Sequence, residues 1–227
     1  MTLAAYESVD DLYLARGALV NGNRPWFTGD VFQNVVVPGV QDTGMVIVIA
    51  HPCAMRRGAT LADRLLVAAV RPSEPIAASA WIDGFYDRMP LPELENASHF
   101  VAWLDDLGKA ARSDLLATQR LACLSEFGIN MLQQRLTFHL TRHEVPTFQL
   151  QAAFAHTHIE ADLLEEWTDD LTNVGLTVEQ AAERFEDFLR GGEPSLRGRL
   201  LNVEMRSSVR QACRLEVKRL LTCLRMS

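Results

Sequence analysis

The spacing of apolar and polar positions divides the chain into two textures. In the first, Leu12, Leu14, Ala15, Ala18 and Leu19 recur within Ser8–Val20 and predict a short helix, capped by Ser8 and broken at Asn21-Gly22-Asn23. Three runs rich in Val and Ile follow. Val31–Val37 comes after Thr28-Gly29-Asp30, Met45–Ala50 comes after Asp42-Thr43-Gly44, and Leu65–Val70 is closed by Arg71-Pro72. Each is aliphatic, of strand length and bounded by Gly, Pro or Asp, which is the signature of a strand. Ala78–Ile82 reads as a fourth. Connections this short leave little room for crossover helices, so the runs predict a small antiparallel sheet or barrel.

Beyond Pro90-Leu91-Pro92 the pattern turns helical. Leu115, Leu116, Gln119, Cys123 and Phe127 recur at helical spacing, and so do Leu132, Leu136 and Leu140. Pro146 must end or kink the second of these helices, because it lacks an N–H and crowds the preceding turn. Another helix is expected over Leu150–Trp167, and Thr177 with Gln180 forms a capping box at the start of the next. Gly191-Gly192-Glu193-Pro194 separates that one from a last helix over Leu200–Leu224. The fold class read from the pattern is α+β. A small SH3-like β-barrel or antiparallel sheet domain is expected over residues 1–92, and an α-helical bundle ending in a basic amphipathic helix over residues 93–227.

The succession Gly29-Asp30-Val31, then Val46-Ile47-Val48-Ile49, then Leu66–Val70 running into Arg71-Pro72 resembles the start of a PemK/MazF-type SH3-like barrel. The resemblance covers about a fifth to a quarter of the chain and rests on short motifs. It implies a barrel and, in members that cleave RNA, an arginine beside the second strand and a hydroxyl after the third. Here Gly44-Met45 precedes the second strand with no Arg-Pro pair, and Ser73 follows Pro72. Arg71 and Ser73 are the groups near the third strand that would supply charge and a hydroxyl to a divergent ribonuclease.

Composition changes this picture little and charge changes it more. With 227 residues, 48% hydrophobic and 22% charged, the chain is of ordinary globular make-up, which excludes a disordered chain, a collagen-like chain and a coiled-coil rod. Apolar runs such as Met45–Ala50 fall far short of the ~20 residues of a membrane span, so no membrane partner is expected. Glu7, Asp10 and Asp11 stand where a secretory leader would be basic and then apolar. Cys53, Cys123, Cys213 and Cys223 include no close CxxC pair and suit a reducing, cytoplasmic setting. The net charge of -7 conceals an asymmetry: from Arg190 onward there are nine Lys/Arg against three Asp/Glu, and Glu160–Asp187 holds ten Asp/Glu against Arg184 alone.

Three groups of residues carry candidate chemistry. His51-Pro52-Cys53, with Arg56 and Arg57, follows the strongest strand; the arginines would lower the pKa of a cysteine nucleophile, while a tight turn with a buried Cys and a capping His accounts for the same residues. His139 and His143, one helical turn apart, would chelate a zinc ion if His156 and His158 returned to complete the ligand set. Arg206, Arg210, Arg214 and Lys218 recur every fourth residue on the last helix, with Arg199 nearby. That stripe can track phosphates or, alternatively, neutralise the acidic segment. No complete catalytic constellation is present. The function expected is therefore a non-catalytic accessory or adaptor protein of a larger cytoplasmic assembly, with a protein partner and nucleic acid in view. The alternative is an enzyme, either a divergent PemK-like ribonuclease or a metal-dependent hydrolase built on His139, His143, His156 and His158.

Overall fold

A computed structural model describes residues 3–116 and 120–225. The chain divides into two compact units: Met1–Asn21, Trp26–Met55 and Leu61–Ala153 make the first, and Gly22–Pro25, Arg56–Thr60 and Phe154–Ser227 the second.

The first unit is built on seven antiparallel strands: β1 (Tyr13–Arg16), β2 (Asp30–Val37), β3 (Gln41–Val48), β6 (Arg64–Pro72), β7 (Arg88–Glu95), β8 (Ser98–Ala111) and β9 (Arg120–Leu124), in the spatial order β1-β9-β2-β3-β6-β8-β7. Between β3 and β6 lie α2 (Pro52–Met55) and two-residue strands β4 (Arg56–Arg57) and β5 (Thr60–Leu61). The sheet is nearly closed and barrel-like. Its edge strands are tied by side chains: Tyr13 Oη donates to Pro92 O at 2.9 Å and Arg16 Nη1 to Glu93 O at 2.9 Å. Burial holds the Tyr13 phenol well above its ordinary pKa, so it stays a donor.

The three Val/Ile runs are strands, as their pattern predicts, and their alternation explains the core. Val46 and Val48 of β3 and Leu65 and Val67 of β6 pack with Phe32, Val35 and Val37 of β2. Phe32 and Val35 are three apart, an odd step that strict alternation would send to opposite faces. A bulge resolves this: Phe32 pairs with Val46 and Val35 with Gly44, and Asn34 takes φ 58°.

Four elements depart from the sequence reading. Ser8 caps only Val9–Leu12 (α1), because the next residues leave as β1 and pair with β9. Ala80–Asp83 (α3) is a helical turn rather than a fourth strand, with Trp81 buried. Residues 98–111 and 120–124 are strands where helix was expected, so the change of texture at Pro92 is not the end of the sheet: β7 and β8 pair across it. Leu115 and Leu116 lie in α4 (Arg112–Leu116), Cys123 in β9 and Phe127 in α5 (Glu126–Thr141), so they share no helix; Gln119 lies outside the described residues. β8 hides its period because Ala68 pairs with Leu107 and the next residue, Ala69, with Trp103, which throws Leu104, Asp105 and Asp106 out of the ladder.

Helix α5, capped by Ser125 Oγ accepting from Gly128 N at 3.0 Å, closes the first unit. A Cβ on Gly128 would lie 2.3 Å from Leu12 O, so only glycine lets the helix approach α1 this closely. From α5, Arg135 is fully buried and donates to Trp81 O at 2.5 Å, Phe85 O at 3.3 Å and Ala4 O at 3.4 Å. Burial lowers its pKa to about 10.

In the second unit, the part of α6 (Thr147–Thr172) from Phe154 onward, α7 (Val178–Arg190), α8 (Leu196–Leu200) and α9 (Arg206–Arg225) enclose a separate core. Trp167 lies at its centre, edge-on to Phe185 with centroids 5.5 Å apart, and its indole donates to Ala181 O at 3.0 Å. The Thr177–Gln180 capping box and the break at Gly191–Pro194 appear as predicted. Val209, Cys213, Val217 and Leu220 form the buried face of α9. No described helix is long and apolar enough to cross a membrane.

Candidate functional site

The cationic stripe is the candidate the fold serves best. Four residues of a straight helix turn through about 400°, so each step along Arg206, Arg210, Arg214 and Lys218 drifts by about 40°. The stripe therefore climbs around α9: Arg206 and Arg210 are half-buried at the edge of the apolar face, and Arg214 and Lys218 are exposed. The first part is held in place by backbone: Arg206 Nε donates to Leu200 O at 3.0 Å, and Arg199 Nε to Pro194 O at 3.1 Å. Of the stripe, Arg214 stands 3.7 Å from Glu166.

The acidic segment draws its main partners from elsewhere. Arg197 Nε and Nη2 donate to Glu160 at 3.1 and 2.7 Å, and Nη1 and Nη2 donate to Glu186 at 3.2 and 2.6 Å. Both carboxylates hold its proton more tightly than an ordinary guanidinium's, although burial opposes them. Arg24 pairs with Glu165 and, at 3.5 Å, with Asp162. Arg190 lies 3.6 Å from both Glu186 and Asp187. Arg24 and Arg197 escaped sequence reasoning because neither belongs to a periodic run; the unbalanced ten carboxylates of Glu160–Asp187 were the only hint that such partners exist.

The histidines are not gathered. Helix α5 stops at Thr141 and Arg142 takes a left-handed φ of 60°, so exposed His143 leaves the face that carries His139. His139 Nε2 instead lies 3.0 Å from Asp105 Oδ1. His156 and His158 fall in the second unit, two residues apart on α6 and so about 200° apart around it. Among the described residues no three His, Cys, Asp or Glu side chains group where one metal ion could be held. The ligand set for zinc is thus not assembled from these four.

The loop after β3 is a capped turn. His51 Nδ1 accepts from Cys53 N at 3.2 Å, which puts the imidazole on the helix end rather than on the thiol. Cys53 is exposed, not buried. Arg56 is half-buried and Arg57 exposed, in β4. At the end of β6, Arg71 is neutralised by Asp106 at 2.5 Å, and Ser73 Oγ donates to Glu74 O at 2.9 Å. Neither group is disposed as a phosphoryl-transfer site would need, with a cation open to developing charge.

The cysteines give a direct check on this geometry. Burial, with Glu166 nearby, pushes the Cys213 thiol up to about 11. Iodoacetamide at pH 8 is expected to label Cys53 and Cys223, which are exposed, within minutes, and buried Cys123 and Cys213 only after denaturation. Peptide mapping that finds Cys213 labelled as fast as Cys53 would show that α9 does not pack as described.

The chain matches no protein-family model and no curated protein.

Proposed function

We propose that this protein is a non-catalytic accessory or adaptor component of a larger cytoplasmic assembly, and that its last helix meets a polyanionic partner, the backbone of a nucleic acid. The observation that carries the reading is the division of labour among the basic residues of the second unit. Arg24 and Arg197 occupy the acidic residues of α6 and α7. Arg210, Arg214 and Lys218 are left along α9, and among the described residues Arg214 alone of these three stands within ion-pair distance of a carboxylate, with both side chains exposed. Guanidinium forks suit phosphate oxygens. The stripe has no aromatic residue interleaved, so binding would follow the backbone without reading bases.

The test reverses Arg206, Arg210 and Arg214 to Glu. Oligonucleotide binding is expected to weaken alike for every sequence, and each lost phosphate contact should flatten the log–log salt dependence by ~0.7 to 0.9. The melting temperature should fall only modestly: Arg214 is exposed, and the half-buried Arg206 and Arg210 sit at the edge of the apolar face, where solvent-screened charges contribute about 1 kcal/mol or less each. Unchanged binding would overturn the reading. A large fall in melting temperature, reversed by salt, would instead make the stripe an internal partner of the acidic segment.

A further inference from the structure

The apolar residues of the turn 201–205, between α8 and α9, stand outside the core of the second unit. Leu201 is 64% exposed, Val203 70% and Met205 40%. Their neighbours explain why. Leu200 before the turn and Val209 after it are fully buried in the helical core, so the segment is pinned at both ends and its own side chains are left outside. Its backbone closes on itself. Leu201 N donates to Gly198 O, Asn202 N to Arg199 O, Met205 N to Asn202 O and Arg206 N to Val203 O. Glu204 N donates to Asn202 Oδ1 at 3.0 Å. The turn therefore presents aliphatic surface in a fixed shape, with little ordering entropy left to lose on binding.

Cations flank this surface. Arg199 and Arg206 each direct Nε to a backbone carbonyl, Pro194 O and Leu200 O, which orients both forks. Among the described residues no carboxylate stands within ion-pair distance of Arg199, Arg206 or Arg210. Residues 199–210 carry these three arginines against a single carboxylate, Glu204. Apolar surface and unpaired cations together narrow the partner. A nucleic acid takes the cations, but along its backbone it offers phosphate and sugar to the three aliphatic side chains. A protein needs ~20–30 residues a side for a stable interface, and one turn supplies few of them. An anionic bilayer takes both: the headgroup–acyl boundary receives aliphatic side chains while anionic headgroups face the arginines. Bonded N–H groups let the turn enter that layer without stripping water from open backbone. Contact of this kind needs no spanning helix. We propose that the turn 201–205 is a docking site for the surface of an anionic lipid bilayer, a contact beyond the nucleic-acid reading of α9.

The test is co-sedimentation of the full chain with vesicles of phosphatidylcholine alone, and with phosphatidylserine added at about one lipid in three. Partition into the anionic vesicles is expected to be at least about tenfold stronger than into the neutral ones. Leu201→Ser with Val203→Ser and Met205→Ser, all at exposed positions, should weaken it about tenfold and leave the melting temperature in place. Glu204→Gln, which removes the carboxylate that headgroups repel, should strengthen it. The triple serine variant should bind oligonucleotides as the parent does, so failure here and failure of the α9 reading are distinguishable. No partition into anionic vesicles, equal partition into neutral ones, or unchanged partition of the triple serine variant would each overturn the proposal. Loss of oligonucleotide binding in that variant would assign the turn to nucleic acid and overturn it as well.

Discussion

Replacing Asp30 with alanine is expected to destabilise the sheet unit by about 3–5 kcal/mol, the usual loss when one partner of a buried ion pair is removed. The carboxylate is 1% exposed and the guanidinium of Arg120 7%, with Oδ2 and Nη1 2.8 Å apart. The same Oδ2 accepts from Phe27 N at 3.0 Å, and Arg120 Nη2 donates to Asn21 O at 2.7 Å. One residue thus fixes the turn into β2 and clamps β9 beside it. Truncation removes the carboxylate that faces the buried Arg120 guanidinium and the oxygen that accepts from Phe27 N. Asp30→Asn, which still accepts from Phe27 but lacks the charge, should fall between. Asp30→Leu with Arg120→Met should recover most of the loss, because a well-packed apolar pair removes the uncompensated charge. Urea unfolding followed by tryptophan emission measures this, three of the four tryptophans (Trp26, Trp81 and Trp103) belonging to this unit. A loss under about 1 kcal/mol for Asp30→Ala, or simple additivity of the two single variants, would show that the pair is not coupled.

That pair also shows what the sequence could reveal. Gly29-Asp30-Val31 stood out as a motif, and its aspartate is held in place by Arg120, ninety positions later. No periodicity links the two. The continuous aliphatic runs in β3 and β6 were legible because their composition and their Gly, Asp or Pro boundaries are local. β8 was not, because three residues leave its ladder and Ala- and Leu-rich composition there imitates a helix. β1 and β9 are short edge-side partners whose strand character comes from pairing with distant residues. Of the candidate sites, the buried face and the cationic stripe of α9 follow from one helical period and were legible. The histidine pair failed at a single residue, Arg142, whose left-handed backbone ends the helix one step before His143. A cavity lined by Ala5, Phe127 and Gln151 draws on residues 5 to 151, a convergence that only the fold creates.

In the second unit the largest single effect is expected at Arg197. Its fork holds Glu160 and Glu186 at once, and Glu186 is only 9% exposed, so Arg197→Ala leaves a buried carboxylate with Arg190 at 3.6 Å as its nearest cation. Arg197 itself is 38% exposed, which admits water and lowers the cost below that of a sealed pair; about 2–3 kcal/mol is expected. Lysine should not restore it, because an ammonium cannot bind two carboxylates bidentately. Trp167, the tryptophan of this core, reports the transition. The comparison with α9 decides how the acidic segment is neutralised. If Arg197 does it, Arg197→Ala lowers the midpoint far more than reversal of Arg206, Arg210 and Arg214, although it removes one charge and the reversal changes six. The opposite order would assign neutralisation to α9 and withdraw its stripe from any outside partner.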